Sequence, residues 1–189
     1  TYVINAGRPF VIKADGLAAG KGVFVPNTVD ETLAAIDAVL NQRAFGEAGS
    51  RIIIEERLTG PEVSVIALTD GKNFIALDTA RDHKRALDGD RGPNTGGMGV
   101  YSPASDVRPQ LIERIKREII QPTIDGMAKA KTPFRGALYA GVMMDAHGNP
   151  MALEFNARFG DPETQPLMMR ITNDLVPVLL ACARGALQR

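Results

Sequence analysis

Apolar and polar positions alternate over short runs in several parts of this chain, which predicts strands there. Residues 10–14 (Phe-Val-Ile-Lys-Ala) and 23–25 (Val-Phe-Val) read as two strands separated by the glycine-rich stretch 16–22. Thr28, followed three residues later by Glu31, forms a capping-box signature. Leu33, Ile36 and Leu40 then recur at helical spacing with Asp37 on the polar side, so a helix is expected. The β-branched run 51–56 predicts a third strand. Residues 62–68 and 73–77 predict a hairpin closed around Asp70-Gly71.

Between 78 and 107 the periodicity stops. Five glycines fall between Gly89 and Gly99, so a long irregular loop is expected. Its glycine, asparagine and threonine content suits an ordered, ligand-facing loop, and disorder stays open as the other reading. Pro109 suits the first turn of a helix whose apolar face is Leu111, Ile112, Ile115 and Ile119. Pro122 is expected to kink or end that helix. Strands at 137–144 and 151–155 follow, joined by Asp145-Ala146-His147-Gly148-Asn149. Asp174 is placed to cap a last helix containing Val178, Leu179 and Ala181, with Gly185 near its end. The order ββα-βββ-α-ββ-α lacks regular βαβ alternation and points to α+β lobes.

Composition narrows the classes of function. The 189 residues include 22 basic and 22 acidic side chains, a formal net charge of zero. With no run of five or more like charges, general nucleic-acid or anionic-membrane binding is disfavoured. The longest apolar run, 175–183, contains Pro177 and is too short to span a bilayer. One cysteine, Cys182, excludes an internal disulfide and a Cys-based zinc cage, and fits a reducing, cytoplasmic compartment. Two histidines, His83 and His147, leave little room for a His-rich metal site. The first residues lack the pattern of a secretory signal, and with no initial methionine the chain is expected to be a piece of a longer protein.

Four constellations could carry chemistry. Lys13 interrupts an apolar strand, where an unpaired ammonium is costly to bury. Gly20 and Gly22 flank Lys21, freeing the backbone N–H groups to face phosphate oxygens. This is not a P-loop, because only three residues separate Gly16 from Gly20 and Gly22 stands where Ser or Thr should follow the lysine. A flexible hairpin beside an edge strand is the plainer alternative. Second, Glu55 and Glu56 end a strand before Leu58, a Gly60-Pro61 turn and Glu62; this could serve a base and ribose hydroxyls, or be a solvated strand end.

Third, period-two alternation puts Glu154 and Asn156 on one face, a carboxylate beside an amide carbonyl, which suits Mg²⁺ held against phosphates. Arg158 falls on the same side if the strand persists, where it could stabilise a transferring phosphoryl group. An ordinary half-exposed strand is the alternative. Fourth, the loop holding Arg81-Asp82-His83-Lys84-Arg85 and then 92–99 could cradle an anion on glycine N–H groups, with Lys84 and Arg85 supplying charge. A mobile surface loop fits its composition equally well.

Together these strings resemble the ATP-grasp domain of the phosphoribosylamine–glycine ligase family, the glycinamide ribonucleotide synthetases of purine biosynthesis. The matching runs are 11–23, 54–56, 82–85, 92–99, 154–156 and 158–163, in the family's order and over nearly the whole chain. The resemblance implies an α+β ATP-grasp fold with ATP between two lobes, a small one at 1–58 and a larger one at 59–189. It implies that Lys13, Gly20, Lys21 and Gly22 serve the phosphates, Glu55, Glu56 and Leu58 the adenine side, and Glu62 the ribose. Glu154 and Asn156 would hold Mg²⁺, or Mn²⁺ in its place. Substrate contacts are expected at Asp82, His83, Asp90, Asn94, Thr95, Gly96 and Gly97, with Lys84 and Arg158 as catalytic cations.

The implied reaction joins glycine to 5-phosphoribosylamine through glycyl phosphate, releasing ADP and phosphate. Arg81 stands where the family pattern has glutamine. The family's chain is also longer, so its N-terminal and C-terminal domains are expected to be absent here. An inactive nucleotide-binding fragment, or an ATP-grasp ligase for another carboxylate, are the competing readings.

Overall fold

The computed structural model of the chain describes residues 1–18, 21–89 and 91–188, and at 84, 85, 93, 94 and 96 the backbone alone. The chain divides into two compact units, Thr1–Leu58 and Thr59–Arg189.

In the first unit, helix α1 (Tyr2–Ala6) precedes strand β1 (Phe10–Ala14), β2 (Val23–Phe24), helix α2 (Val29–Leu40), a short 3₁₀ turn (Gly46–Gly49) and β3 (Ile52–Glu56). The strands form an antiparallel sheet in the order β2-β1-β3. Val3, Phe10, Ile12 and Ala35 make its core, with Leu33, Ile36 and Ile52 packed around them. The start of α2 follows from its sequence. Glu31 N–H donates to Thr28 Oγ1 at 3.1 Å, while the Glu31 carboxylate accepts from Asn27 N–H at 2.7 Å. Thr32 is fully buried on this helix; its hydroxyl donates to the Thr28 carbonyl and accepts from Phe10 N–H. Helix α1 carries no strong sequence signal and exists by packing Val3 into that core.

In the second unit, β4 (Glu62–Thr69), β5 (Phe74–Ala76), β8 (Gly136–Met144) and β9 (Pro150–Asn156) form an antiparallel sheet in the order β5-β4-β8-β9. Both faces of β4 are covered. Val63, Val65 and Ala67 pack with Ile115, Ile120 and Ile124 of the helical layer, while Ile66 and Leu68 face the other way, toward Leu167 and Cys182. That second cover is α5 (Thr164–Arg170) and α6 (Leu175–Arg184). Asp174 caps α6 by accepting from Val176 N–H at 2.9 Å, and the helix ends at Gly185 in the left-handed region. Among the described residues, no single helix is long and apolar enough to cross a membrane.

The β4–β5 turn is tied down by Asp70. Its Oδ1 accepts from Lys72 N–H and Asn73 N–H, and its Oδ2 accepts from Leu187 N–H, 117 residues away. Burial pushes this carboxyl up, but the three backbone donors and the Arg135 charge outweigh it and hold it below the usual carboxylate range.

Three expectations need correction. The stretch 78–107 is not irregular: β6 (Arg81–Leu87) and β7 (Arg91–Tyr101) pair as an antiparallel ribbon. His83 faces Gly99 and Arg85 faces Asn94, so residues 95–98 bulge out opposite the single residue Lys84. That irregular register erases the period-two signal, while Ala80 and Val100 still enter the core. Pro122 does not end the helical run. Helix α3 (Pro109–Ile115) runs through a π-helical turn (Lys116–Ile120) into α4 (Gln121–Lys129), where Pro122 lies in the first turn. The wider π turn supplies the place where a missing N–H is tolerated. The acidic turn 159–163 leads into α5, which the sequence reading did not anticipate.

Candidate functional site

Residues expected to act together fall into two groups, one in each unit. In the first unit, Lys13 Nζ lies 2.6 Å from Glu55 Oε2, on the neighbouring strand. Pairing supplies what a lysine in an apolar strand needs, and with its side chain 22% exposed the ammonium also reaches solvent. Glu56, on the next position of β3, meets Arg8 at 3.3 Å and is exposed. Leu58 is half-buried at the end of the unit.

The glycine-rich loop is anchored at both ends. Gly16 N–H donates to the Ala48 carbonyl, and Ala14 N–H donates to the Gly22 carbonyl at 2.8 Å. A Cβ on Gly16 would stand 2.5 Å from the Ala48 Cα, so glycine is required there for close approach. Leu17 and Lys21 are exposed on the loop, while Gly20 lies outside the described residues.

The second group sits on one face of the four-stranded sheet. Ser64 pairs with Gly141, and Gly141 pairs with Glu154; Tyr139 pairs with Asn156. Alternation therefore puts Glu62, Ser64, Tyr139, Glu154 and Asn156 on the same face. Asn156 Nδ2 donates to Glu154 Oε1 at 3.4 Å. Glu62 Oε1 and Glu154 Cγ both lie within 4 Å of where a Gly141 Cβ would be, so the absence of a side chain lets the two carboxylates approach. The opposite sheet face holds an apolar hollow of about 280 Å³ lined by Ile124, Met127, Phe134, Leu138 and Phe155. It lies on the side covered by α3 and α4, and Asn156 reaches its edge.

Among the described residues, no three His, Cys, Asp or Glu side chains converge as a metal cage. A cation at this face would rest on Glu154, Asn156 and phosphate oxygens. That donor set fits Mg²⁺, which keeps few protein ligands and prefers hard oxygens.

Strand β9 stops at Asn156, so Arg158 does not continue the alternation that would align it with Glu154. Its guanidinium donates to the Phe159 carbonyl at 2.8 Å and is exposed. The ribbon supplies the remaining residues. Asp82 Oδ1 and Pro162 Cδ each lie 3.0 Å from where a Gly97 Cβ would be, which brings the ribbon against the 160–162 turn. Gly97 has φ +130°, and its N–H donates to Thr95 Oγ1 at 3.1 Å. His83 stacks on Tyr101 at 5.6 Å between ring centres. Asp90 and the side chains of Lys84 and Asn94 lie outside the described residues, as does any side-chain-level detail at Gly96. Arg81 is committed to the frame: it donates to the Glu62 carbonyl at 2.9 Å and pairs with Asp106 at 2.9 Å.

A buried group escaped the sequence reading. Glu163 Oε1 accepts from Ser64 Oγ at 2.9 Å and from Tyr139 Oη at 3.0 Å, and the two hydroxyls are 2.9 Å apart. All three residues are under 5% exposed. Burial, reinforced by the Glu163 and Glu62 carboxylates and opposed by the Ser64 bond, pushes the Tyr139 hydroxyl far above the usual phenol range. Ser64 and Tyr139 share the sheet face that carries Glu154 and Asn156, a juxtaposition no local pattern displays.

The model of the phosphoribosylglycinamide synthetase ATP-grasp (A) domain matches residues 1–164. The chain belongs to that family. Its fold is accordingly ATP-grasp, built here from helices and antiparallel sheets. It is 57% identical over 186 residues to the phosphoribosylamine–glycine ligase of Ralstonia nicotianae, covering 98% of this chain and 44% of that protein. The enzyme of the same name from Xanthomonas axonopodis is 54% identical over 186 residues, covering 98% of this chain and 43% of that one. The crystal structure of phosphoribosylamine–glycine ligase from Thermotoga maritima superposes with a TM-score of 0.81 at 39% identity, over 96% of this chain and 46% of that one. The chain thus spans less than half the length of these relatives. Within the family frame, Lys13, Glu55, Glu154 and Asn156 occupy strands, whereas the substrate candidates occupy the ribbon.

Proposed function

We propose that this chain is the ATP-grasp portion of an enzyme that ligates glycine to 5-phosphoribosylamine, with ADP and phosphate as co-products, in a cytoplasmic pathway of purine synthesis. The observation that carries this reading is the single sheet face bearing Glu62, Glu154 and Asn156 beside a ribbon that meets the 160–162 turn. The names of its relatives supply the substrates.

In this reading the glycine carboxylate attacks the terminal phosphate, ADP leaves, and an acyl phosphate forms. The amine nitrogen then attacks the acyl carbon; a C–N bond forms, the C–O bond to phosphate breaks, and the amine loses a proton to solvent. Lys13 and Lys21 hold phosphate oxygens, with Glu55 keeping Lys13 oriented. Mg²⁺ on Glu154 and Asn156 would neutralise phosphate charge. Arg158 swings from the Phe159 carbonyl to the transferring phosphoryl group, and the Thr95–Gly97 bulge holds the amine.

The test is ADP release by the full-length parent enzyme, with and without each substrate. The reading expects ADP formation to require both glycine and phosphoribosylamine for sustained turnover. Turnover that ignores glycine, or accepts an unrelated carboxylate better, would overturn it.

A further inference from the structure

The Ser64–Tyr139–Glu163 network has no part in the chemistry just described, yet it occupies a junction. On one side, Ser64 pairs with Gly141, which pairs in turn with Glu154, and Tyr139 pairs directly with Asn156. On the other side, Glu163 closes the turn at 160–162, its carboxylate folded against Gly160, whose carbonyl accepts from Thr164. That turn presents Pro162 to Gly97 of the ribbon, whose other close neighbour is the Asp82 carboxylate. Three polar side chains under 5% exposed, each satisfied by the others, specify one arrangement of the strands they join. The Tyr139 hydroxyl, pushed up chiefly by burial, stays protonated and remains a donor across the working pH range.

We infer that Ser64, Tyr139 and Glu163 are positioning residues that hold the ribbon carrying the amine site in register with the sheet face carrying the phosphate site. The inference rests on the proposed ligase reaction and adds a consequence to it. An acyl phosphate that waits beside a displaced amine is open to water: the water oxygen attacks the acyl carbon, phosphate leaves, and free glycine is regenerated. Loosening the network therefore uncouples ATP use from amide formation instead of weakening nucleotide binding.

The experiment uses the full-length parent enzyme with Tyr139→Phe, Ser64→Ala, Glu163→Gln and Glu163→Ala. ADP and amide product are counted together, and ATP affinity is measured separately. Tyr139→Phe and Glu163→Ala are expected to raise ADP released per amide formed about threefold or more, with ATP affinity within about twofold. Glu163→Gln, which keeps an oxygen acceptor of the same shape, is expected to restore most of the coupling. Hydrogen exchange across 92–99 should quicken in Tyr139→Phe, a readout that does not depend on turnover. Unchanged stoichiometry with unchanged exchange overturns the inference, as does a parallel fall in ATP affinity. If the unmodified enzyme forms no amide, the ligase reading itself falls; the exchange result then still decides whether the network holds the ribbon. A Tyr139→Phe protein that fails to fold is replaced by Ser64→Ala, which removes one donor and keeps both larger side chains.

Discussion

Lys13 Nζ reaches diagonally across β1 and β3 to Glu55 Oε2 at 2.6 Å, joining the phosphate candidate to the adenine-side candidate in one ion pair. Because both side chains still reach solvent, the pair contributes about 1 kcal/mol or less to folding. Its larger effect is to orient the ammonium. Lys13→Met is expected to weaken ATP binding by about 10–100-fold, the loss of a charge-assisted bond, with little change in denaturation midpoint. Calorimetric titration with ATP checks the first expectation and urea unfolding the second. Equal ATP affinity in the variant would remove Lys13 from the phosphate site.

Glu154→Gln and Asn156→Ala act on an exposed carboxylate and its amide neighbour, 3.4 Å apart. Each variant is expected to leave thermal stability within about 0.5 kcal/mol, as surface substitutions do. ATP binding in Mg²⁺ should fall, while binding without added metal should change little. A collapse in melting temperature with unaltered metal-dependent binding would make the two residues structural.

Asp70 gives a pH dependence with a definite sign. Its folded-state carboxyl is held below the ordinary carboxylate value, so its contribution is fully present above that value and is lost as pH falls through the lowered one. Acid unfolding should therefore begin with release of the Leu187 amide, seen as early exchange there. Asp70→Ala leaves three backbone donors without their acceptor and should cost about 2–4 kcal/mol at neutral pH. Stability in the variant that follows the unmodified protein through the acid range would refute this assignment.

Gly97→Ala introduces a Cβ 3.0 Å from both Pro162 and Asp82 at a φ of +130°, where an L-residue is strained. The ribbon should shift off the turn. In the full-length parent, turnover with phosphoribosylamine is expected to fall about 100-fold while ATP affinity holds. A matched loss of ATP binding would put the ribbon in the nucleotide site.

What the sequence alone determined is local. Thr28 and Glu31 cap α2, Asp70-Gly71 closes the β4–β5 hairpin, and Asp174 and Gly185 bound α6, because each signal acts between residues a few positions apart. The alternation that puts Glu154 beside Asn156 is local too. The family likeness was legible for the same reason, since its motifs are short strings in a set order. Tertiary structure alone decided the rest. The ribbon of β6 and β7 exists by pairing across irregular registers, and its glycines hide the strand period that pairing imposes. The helical run continues from α3 past Pro122 through a π turn whose Ile119 and Ile120 enter the core. Above all, Ser64, Tyr139 and Glu163 are separated by up to 99 residues and meet only after the sheet and α5 have formed. Their partnership is a consequence of burial, where an unpaired hydroxyl or carboxylate costs more than any local preference can repay.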